Sequence, residues 1–363
     1  MADEVKKNRL EDFGYDEFFD SQWKSLNLED AYVARVISEH KESYKVKNAD
    51  GEYMAKITGR QMFNAVTRED YPAVGDWVAI TNIDEERAVI KNILQRKTVL
   101  RKKYSSKSDT QIIATNVDEV FIVESLERDF NLNRFERYLV LANEGGIKPV
   151  IVLNKIDLVS QEQLDVIEEQ TRKRFEDIDI LLTSIITEQG LSQLIDYIQK
   201  GKTYSFIGSS GVGKSTLING LLQKDEIKTT PISDYTGRGM HSTTTRDMYF
   251  LENGGIVIDN PGTREVGIAD VNEGIENIFD EIVALSQECK FADCTHTHEP
   301  KCAVRKAAED NKLDMEKYQN YLKLKNENDY NDMTILEKRR KDRKFGQFIK
   351  KKKDELKGYK PGY

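Results

Sequence analysis

Two short strings in this chain have residue types and spacings suited to chemistry. Residues 208–215 read GSSGVGKS, which fits G-x-x-x-x-G-K-[ST] with Gly208, Gly213, Lys214 and Ser215. Glycines let a backbone wrap an anion, so that several N–H groups converge on one phosphate. The apolar run YSFI precedes the string and STLINGLL follows it, so the loop opens a helix whose N-terminus adds partial positive charge. Leu217, Ile218, Leu221 and Leu222 fall on one face of that helix. Lys214 is then expected to reach the β- and γ-phosphates, and Ser215 to hold Mg²⁺. Ser209, Ser210, Gly211, Val212 and Thr216 complete the candidate phosphate contacts.

The second string, Asn154-Lys155-Ile156-Asp157, follows the apolar run PVIVL. It therefore lies at a strand's carboxyl end, where open α/β sheets bind ligands. A carboxylate at Asp157 accepts hydrogen bonds from guanine N1–H and the 2-amino group. Adenine offers neither donor and would leave Asp157 unpaired, a loss that discriminates by orders of magnitude. This argues against an ATPase. Lys155 is expected to lay its aliphatic stem along the base, and Asn154 to tie this loop to the phosphate loop. The stretch LLTSIITEQGL (181–191) also follows a strand. Ser184 and Ile185 there are candidate backbone contacts to the guanine carbonyl.

Two further segments suit a nucleotide switch. GGIVIDNPG ends in Asp259-Asn260-Pro261-Gly262, a D-x-x-G after an apolar run. Asp259 is expected to take part in Mg²⁺ coordination through water, and the Gly262 N–H to sense the γ-phosphate. TGRGMHSTTTRD (236–247) is rich in hydroxyls, and Thr243 or Thr244 there is a candidate Mg²⁺ ligand whose release on hydrolysis frees the loop. Thr263 follows the D-x-x-G. It is too short to orient an attacking water as glutamine does, so slow hydrolysis by the isolated chain is expected. His241 is either a water-positioning group or a structural polar residue. The candidate catalytic set is thus His241, Thr244, Asp259 and Lys214, while Arg238 and Arg246 suit surface roles.

All three cysteines fall in CKFADCTHTHEPKC, spaced C-x4-C-x-H-x5-C as Cys289, Cys294, His296 and Cys302. An odd count so tightly clustered beside histidines argues for metal rather than a disulfide framework. Three thiolates and one imidazole make a closed tetrahedral set suited to one structural Zn²⁺, with no open position for a catalytic water. His298 is the alternative imidazole.

These motifs need elements to hold them. With 363 residues, the chain has room for two or three domains. Residues 1–27 are polar and acidic without a sustained period and read as an extension. Across 28–108, the runs YVARVI, YKVKN, YMAKI, DWVAI and RAVIKNI alternate between turn signals, which suits an OB-fold-like β-barrel. Across 109–271, VDEVFIVES, KPVIVLN, IDILLTS, YSFIG and GGIVIDN read as buried parallel strands, with helical spacing in RFERYLVLANE and EQLDVIEEQTRKRF. Residues 272–335 read as a helical, zinc-binding domain, and 336–363 as a basic tail. The run at 338–353 holds ten basic residues and one acidic, suited to phosphate contact without sequence specificity. The net charge of −8 does not suggest a general nucleic-acid coat. No apolar run is long enough to span a bilayer, and the start lacks a secretory signal. A cytoplasmic chain with no membrane partner is expected.

The order NKID, TSI, GSSGVGKS, HSTTT, DNPG is the usual series of GTPase motifs cut and rejoined. The chain resembles a circularly permuted GTPase. With a barrel ahead and a cysteine cluster behind, it is similar to the ribosome small-subunit-dependent GTPases, the RsgA family. The resemblance covers roughly 28–330. It implies GTP hydrolysis to GDP and phosphate, stimulated by the small (30S) ribosomal subunit during late maturation. It also implies GTP, GDP, Mg²⁺ and Zn²⁺ as ligands, 16S rRNA as a contact, a monomeric state, and Cys289, Cys294, His296 and Cys302 as zinc ligands. The sequence departs from the family at Thr263 and at Ser184-Ile185-Ile186, in the form of HSTTT, and in the length of the basic tail, which suggests a divergent paralogue. A rival reading is a zinc-containing RNA-binding protein that uses guanine nucleotide only as a conformational ligand.

Overall fold

The computed structural model describes residues 9–40, 43–103, 110–127, 130–223, 227, 246–260 and 271–334, with scattered positions to 349. The chain divides into two compact units. One takes residues 1–267 and 276–278; the other takes 268–275 and 279 onward.

In the first unit a 3-10 turn at Leu10–Phe13 leads into a helix, α1 (Glu17–Leu26), started by Asp16, whose carboxylate accepts from Phe18 N. Five strands follow: β1 (Tyr32–Glu39), β2 (Tyr44–Lys47), β3 (Glu52–Ile57), β4 (Trp77–Asn82) and β5 (Arg87–Ile93). They run in the order β1-β2-β3-β5-β4, and β4 pairs back onto β1. The barrel is closed, with β3 and β5 parallel and the other pairs antiparallel. Closure leaves no unpaired edge to template aggregation. The turn at Asn48–Gly51 forms because the Asn48 side chain accepts from the backbone N–H groups of Asp50 and Gly51. Ala34, Val36, Val46, Ala55, Val78, Ile80 and Ile90 fill the interior. A short helix, α2 (Gly59–Asn64), lies between β3 and β4.

The N-terminal extension is not merely solvent-exposed chain. Phe13 and Phe19 are buried with Val33, Trp77 and Leu94 in a second cluster. Arg35 is 1% exposed; it donates to the carbonyls of Phe13, Gly75 and Asn116. A ribbon of β6 (Val99–Lys103) and β7 (Thr110–Thr115) follows the barrel.

The rest of this unit is a sheet of β8 (Glu119–Ser125), β9 (Lys148–Asn154), β10 (Asp179–Thr183), β11 (Thr203–Ile207), β12 (Asp247–Phe250) and β13 (Ile256–Asp259). Its order is β10-β9-β8-β11-β13-β12. Only β12 is antiparallel to its sheet neighbour. Four helices serve it: α3 (Leu132–Glu144), α4 (Gln161–Arg174), α5 (Leu191–Tyr197) and α6 (Lys214–Leu222). Phe121, Val123, Val150, Val152, Phe206 and Val257 pack with Leu194, Leu217, Ile218, Leu221 and Leu222 from α5 and α6. The alternate residues Val120, Ile122, Ile151 and Leu153 are fully buried as well. Burial on both faces explains why these strands read as continuous apolar runs. From β8 the chain runs outward through β9 to β10, then returns to β11 on the other side of β8, so the strand order reverses between β8 and β11. A doubly wound sheet opens its ligand crevice at such a reversal.

In the second unit, α8 (Asp280–Ser286), α9 (Ala303–Glu309) and α10 (Met315–Asp332) follow α7 (Asn272–Ile278), which contributes residues to both units. Ile282, Val304, Ala307, Leu313, Tyr318 and Leu324 are buried there, and the Phe279 and Tyr321 rings meet edge-on at 5.4 Å. Among the described residues, no helix is long and apolar enough to cross a membrane.

Candidate functional site

Strand β11 delivers the chain into the loop 208–213, and α6 begins at Lys214. Two glycines are dictated by what lies beside them. Gly208 has φ +142°, and a Cβ there would stand 2.1 Å from the Val123 carbonyl oxygen. Gly213 has φ +100°, and its Cβ would meet the Asn154 amide nitrogen at 2.5 Å. The loop thus packs against the ends of β8 and β9. The Lys214 ammonium donates to the Gly208 and Ser209 carbonyls, each at 2.8 Å, which puts a positive charge inside the loop.

The neighbouring loop is joined to it directly. Asn154 is 2% exposed. Its amide donates to the Val212 carbonyl at 2.8 Å, while its Oδ1 accepts from Thr183 Oγ1 at 3.0 Å. Lys155 is in the left-handed region at φ +60°, a conformation that side chains other than glycine hold at a cost. Its ammonium pairs with Glu127 at 2.8 Å. Ile156 is buried and Asp157 exposed. Asp157 Oδ1 accepts from Ser184 Oγ at 2.5 Å, so the loop after β10 orients this carboxylate. The Ser184 N–H is engaged within its own loop by the Gln189 carbonyl at 2.9 Å. Ile185 packs toward Gly220 of α6, where an added Cβ would lie 2.8 Å from its Cδ1.

Two buried acids flank the phosphate loop. Asp259, 2% exposed, ends β13; its Oδ2 accepts from Ser215 Oγ at 3.3 Å. Its Oδ1 is buried without a hydrogen-bond partner. Burial raises the Asp259 pKa above the usual carboxylate range, and the Asp247 charge adds to this; Lys214 and Ser215 oppose it. Glu124, on β8, is 1% exposed. Burial likewise raises its pKa, against the pull of Arg134, which lies 3.5 Å away. Ser209 Oγ donates to it at 3.4 Å.

In the second unit, one donor atom from each of Cys289, Cys294, His296 and Cys302 falls within 4.8 Å of the others. Cys289 and Cys302 Sγ lie 3.6 and 3.5 Å from His296 Nδ1. Backbone N–H groups of Ala303 and Arg305 donate to the Cys289 and Cys302 sulfurs at 3.4 and 3.3 Å. Such bonds stabilise thiolate, the form that binds metal. Burial lowers the His296 pKa, which favours the neutral ligand form. His298 instead sets its Nδ1 2.8 Å from Thr297 Oγ1. The donor chemistry fits one closed tetrahedral ion of the zinc type.

Known proteins resemble this chain in sequence and fold. A sequence model of the RsgA GTPase family matches residues 93–269. A Bacteroides thetaiotaomicron protein, small ribosomal subunit biogenesis GTPase RsgA 1, is 38% identical over 350 residues, covering 96% of this chain and 98% of its own. The chain belongs to the RsgA GTPase family. A second RsgA protein, from Lactiplantibacillus plantarum, is 41% identical over 322 residues, covering 86% of this chain and 89% of its own. The crystal structure of YjeQ from Thermotoga maritima superposes with a TM-score of 0.60 at 28% identity, over 81% of this chain and 97% of that one. YloQ, described as a circularly permuted GTPase, matches in fold with a TM-score of 0.55 at 24% identity, over 82% and 96% of the two chains. RsgA membership brings guanine nucleotide and Mg²⁺ with it.

For this RsgA GTPase, the structure brings the 154–157, 184–185 and 208–216 loops and Asp259 to one end of the sheet. His241, Thr243, Thr244 and Gly262 lie outside the described residues, as do Arg238, Thr263 and most of the basic tail. Sequence reasoning passed over Glu124 and Asp247. Glu124 was legible as the acid inside the apolar run VFIVES; Asp247 gave no signal, because its neighbours come from distant segments.

Proposed function

We propose that this RsgA GTPase binds the small ribosomal subunit, assists its late maturation and hydrolyses GTP to GDP and phosphate when the subunit engages it. The observation that carries the reading is the 2.8 Å bond from Asn154 to the Val212 carbonyl. It joins a guanine-reading loop to a phosphate loop that lies 58 residues later, so that one nucleotide can lie across both.

In this reading Asp157, oriented by Ser184, accepts from guanine N1–H and the 2-amino group. The Lys155 stem lies along the base, and Ile185 offers its N–H to the guanine carbonyl. The N–H groups of 209–216 and Lys214 bind the phosphates. Ser215, Thr243 and Asp259 are the Mg²⁺-side residues; the partnerless buried oxygen of Asp259 and its contact with Ser215 fit that role. Bound Mg²⁺ would supply charge compensation at the phosphates. His241 and Thr244 belong to the catalytic set by their position in the switch motif, and Gly262 senses the γ-phosphate. The cysteine cluster is a structural zinc site. The domain bounds 1–27, 28–108, 109–271, 272–335 and 336–363 belong to the same proposal, with the barrel, zinc region and tail facing 16S rRNA. The names of the relatives, both small-subunit biogenesis GTPases, support the partner.

A GTPase assay titrated with purified 30S particles tests this. Turnover rising saturably with 30S supports the proposal. Nucleotide-dependent particle binding without turnover would leave guanine nucleotide as a conformational ligand only.

A further inference from the structure

Ser38, Asp247 and Asp259 form a row across three adjacent strands. Asp247 in β12 is the register partner of Ser38 in β1 and of Asp259 in β13. Side chains directly opposite in antiparallel pairs share one face. Ser38 Oγ donates to Asp247 Oδ1 at 2.5 Å, and Ser38 is 4% exposed. At the other end of the row, Asp259 meets Ser215 through one oxygen and holds the other buried and without a partner. The next residues along the crossing, Arg246 and Glu39, are paired at 3.0 Å. A barrel strand is thereby fastened to β12, the neighbour of the strand that carries Asp259.

Two carboxylates directly opposite one another repel, and positive charge near them relieves the repulsion. Divalent cations favour clustered carboxylate oxygens. We propose that Asp247, held by Ser38, is a positioning residue for Asp259, and that through it the barrel sets the divalent-metal affinity of the nucleotide site. This rests on the reading of Asp259 as a Mg²⁺-side carboxylate. Asp247 adds negative charge around the cation, and Ser38 restricts that charge to one geometry. A partner that displaces β1 therefore changes how tightly Mg²⁺ and the nucleotide are held together.

The test is binding of fluorescent GDP to the full-length protein, titrated with Mg²⁺ and repeated in EDTA. Asp247→Asn is expected to raise the Mg²⁺ midpoint about tenfold. Ser38→Ala should raise it about threefold, while Ser38→Thr, which keeps the hydroxyl, should stay near wild type. Affinity in EDTA should remain within about twofold throughout. An unchanged midpoint in Asp247→Asn, or a parallel fall in EDTA affinity, overturns the inference. Should Asp247→Asn not fold, the two Ser38 variants still decide it, and equal midpoints for them overturn the barrel's part. Asp259→Asn separates the two levels. If it loses the Mg²⁺ response while Asp247→Asn behaves as wild type, only the inference fails. If Asp259→Asn keeps the response, the reading of Asp259 fails with it.

Discussion

The Asn154 side chain spans two loops: its amide donates to the Val212 carbonyl at 2.8 Å while its oxygen accepts from Thr183. Both bonds are buried, so both partners would be orphaned by truncation. A buried polar group left unsatisfied costs about 1–3 kcal/mol. Asn154→Ala is expected to lower folding stability by about 2 kcal/mol. GDP affinity should fall at least about tenfold, since the two ends of the site lose their fixed spacing. Denaturant titration and GDP binding measure the two effects; unchanged GDP affinity in a folded variant would remove Asn154 from the site.

Local patterns were legible in the sequence because they are local. GSSGVGKS and NKID specify their loops within a few residues, and the five barrel strands announce themselves by alternation and turn residues. What escaped was tertiary. Phe13 and Phe19 plug a surface of the barrel, yet they belong to two separate short helical elements, so no single period marks them together. Arg35, in YVARVI, reads as a solvent-facing residue until its three carbonyl acceptors are seen. The Ser38–Asp247 bond joins positions 209 residues apart, and register between such segments is invisible in either. The string C-T-H-T-H offers two imidazoles, His296 as the expected ligand and His298 as the alternative. The fold turns His296 through φ +61° to face Cys289 and Cys302, and leaves His298 exposed beside Thr297.

Guanine selection is assigned to Asp157. An amide there can still accept from Ser184, but it presents a donor where guanine also presents donors. Xanthine carries a carbonyl in place of the 2-amino group and would accept from it. Asp157→Asn is expected to weaken GDP binding about a hundredfold and to bind XDP more tightly than GDP. Competition of the two diphosphates against a fluorescent nucleotide checks this; a retained preference for GDP would contradict it.

The cysteine cluster should be a folding element. Cys302 is 4% exposed and caps α9, its sulfur accepting from Arg305 N. Metal binding energy at such a site is folding energy, about 10 kcal/mol or more in small zinc modules. Purified protein is expected to carry one zinc per chain. Cys302→Ser or a strong chelator should remove that zinc and with it helical signal from α8, α9 and α10. Metal analysis beside far-ultraviolet circular dichroism gives the answer, and full helicity in a zinc-free sample would count against a structural ion.

Asp259 should cost stability in the nucleotide-free protein. Burial is the main cause of its raised pKa, so the folded state binds its proton more tightly than the unfolded state does. Its contribution is most favourable at low pH and is lost as pH rises through the raised value. Above that raised value the ionised side chain therefore opposes folding until a cation compensates it. Asp259→Asn removes the charge and faces Asp247 without repulsion. It is expected to stabilise the nucleotide-free protein by about 1 kcal/mol at pH 7. That gain should shrink as the pH falls toward the carboxylate range, where the wild-type group takes up its proton. Urea titrations of both proteins from pH 5 to 8, with Mg²⁺ removed, measure the difference. A variant less stable than wild type across that range would mean that Asp259 is held for packing rather than for a cation.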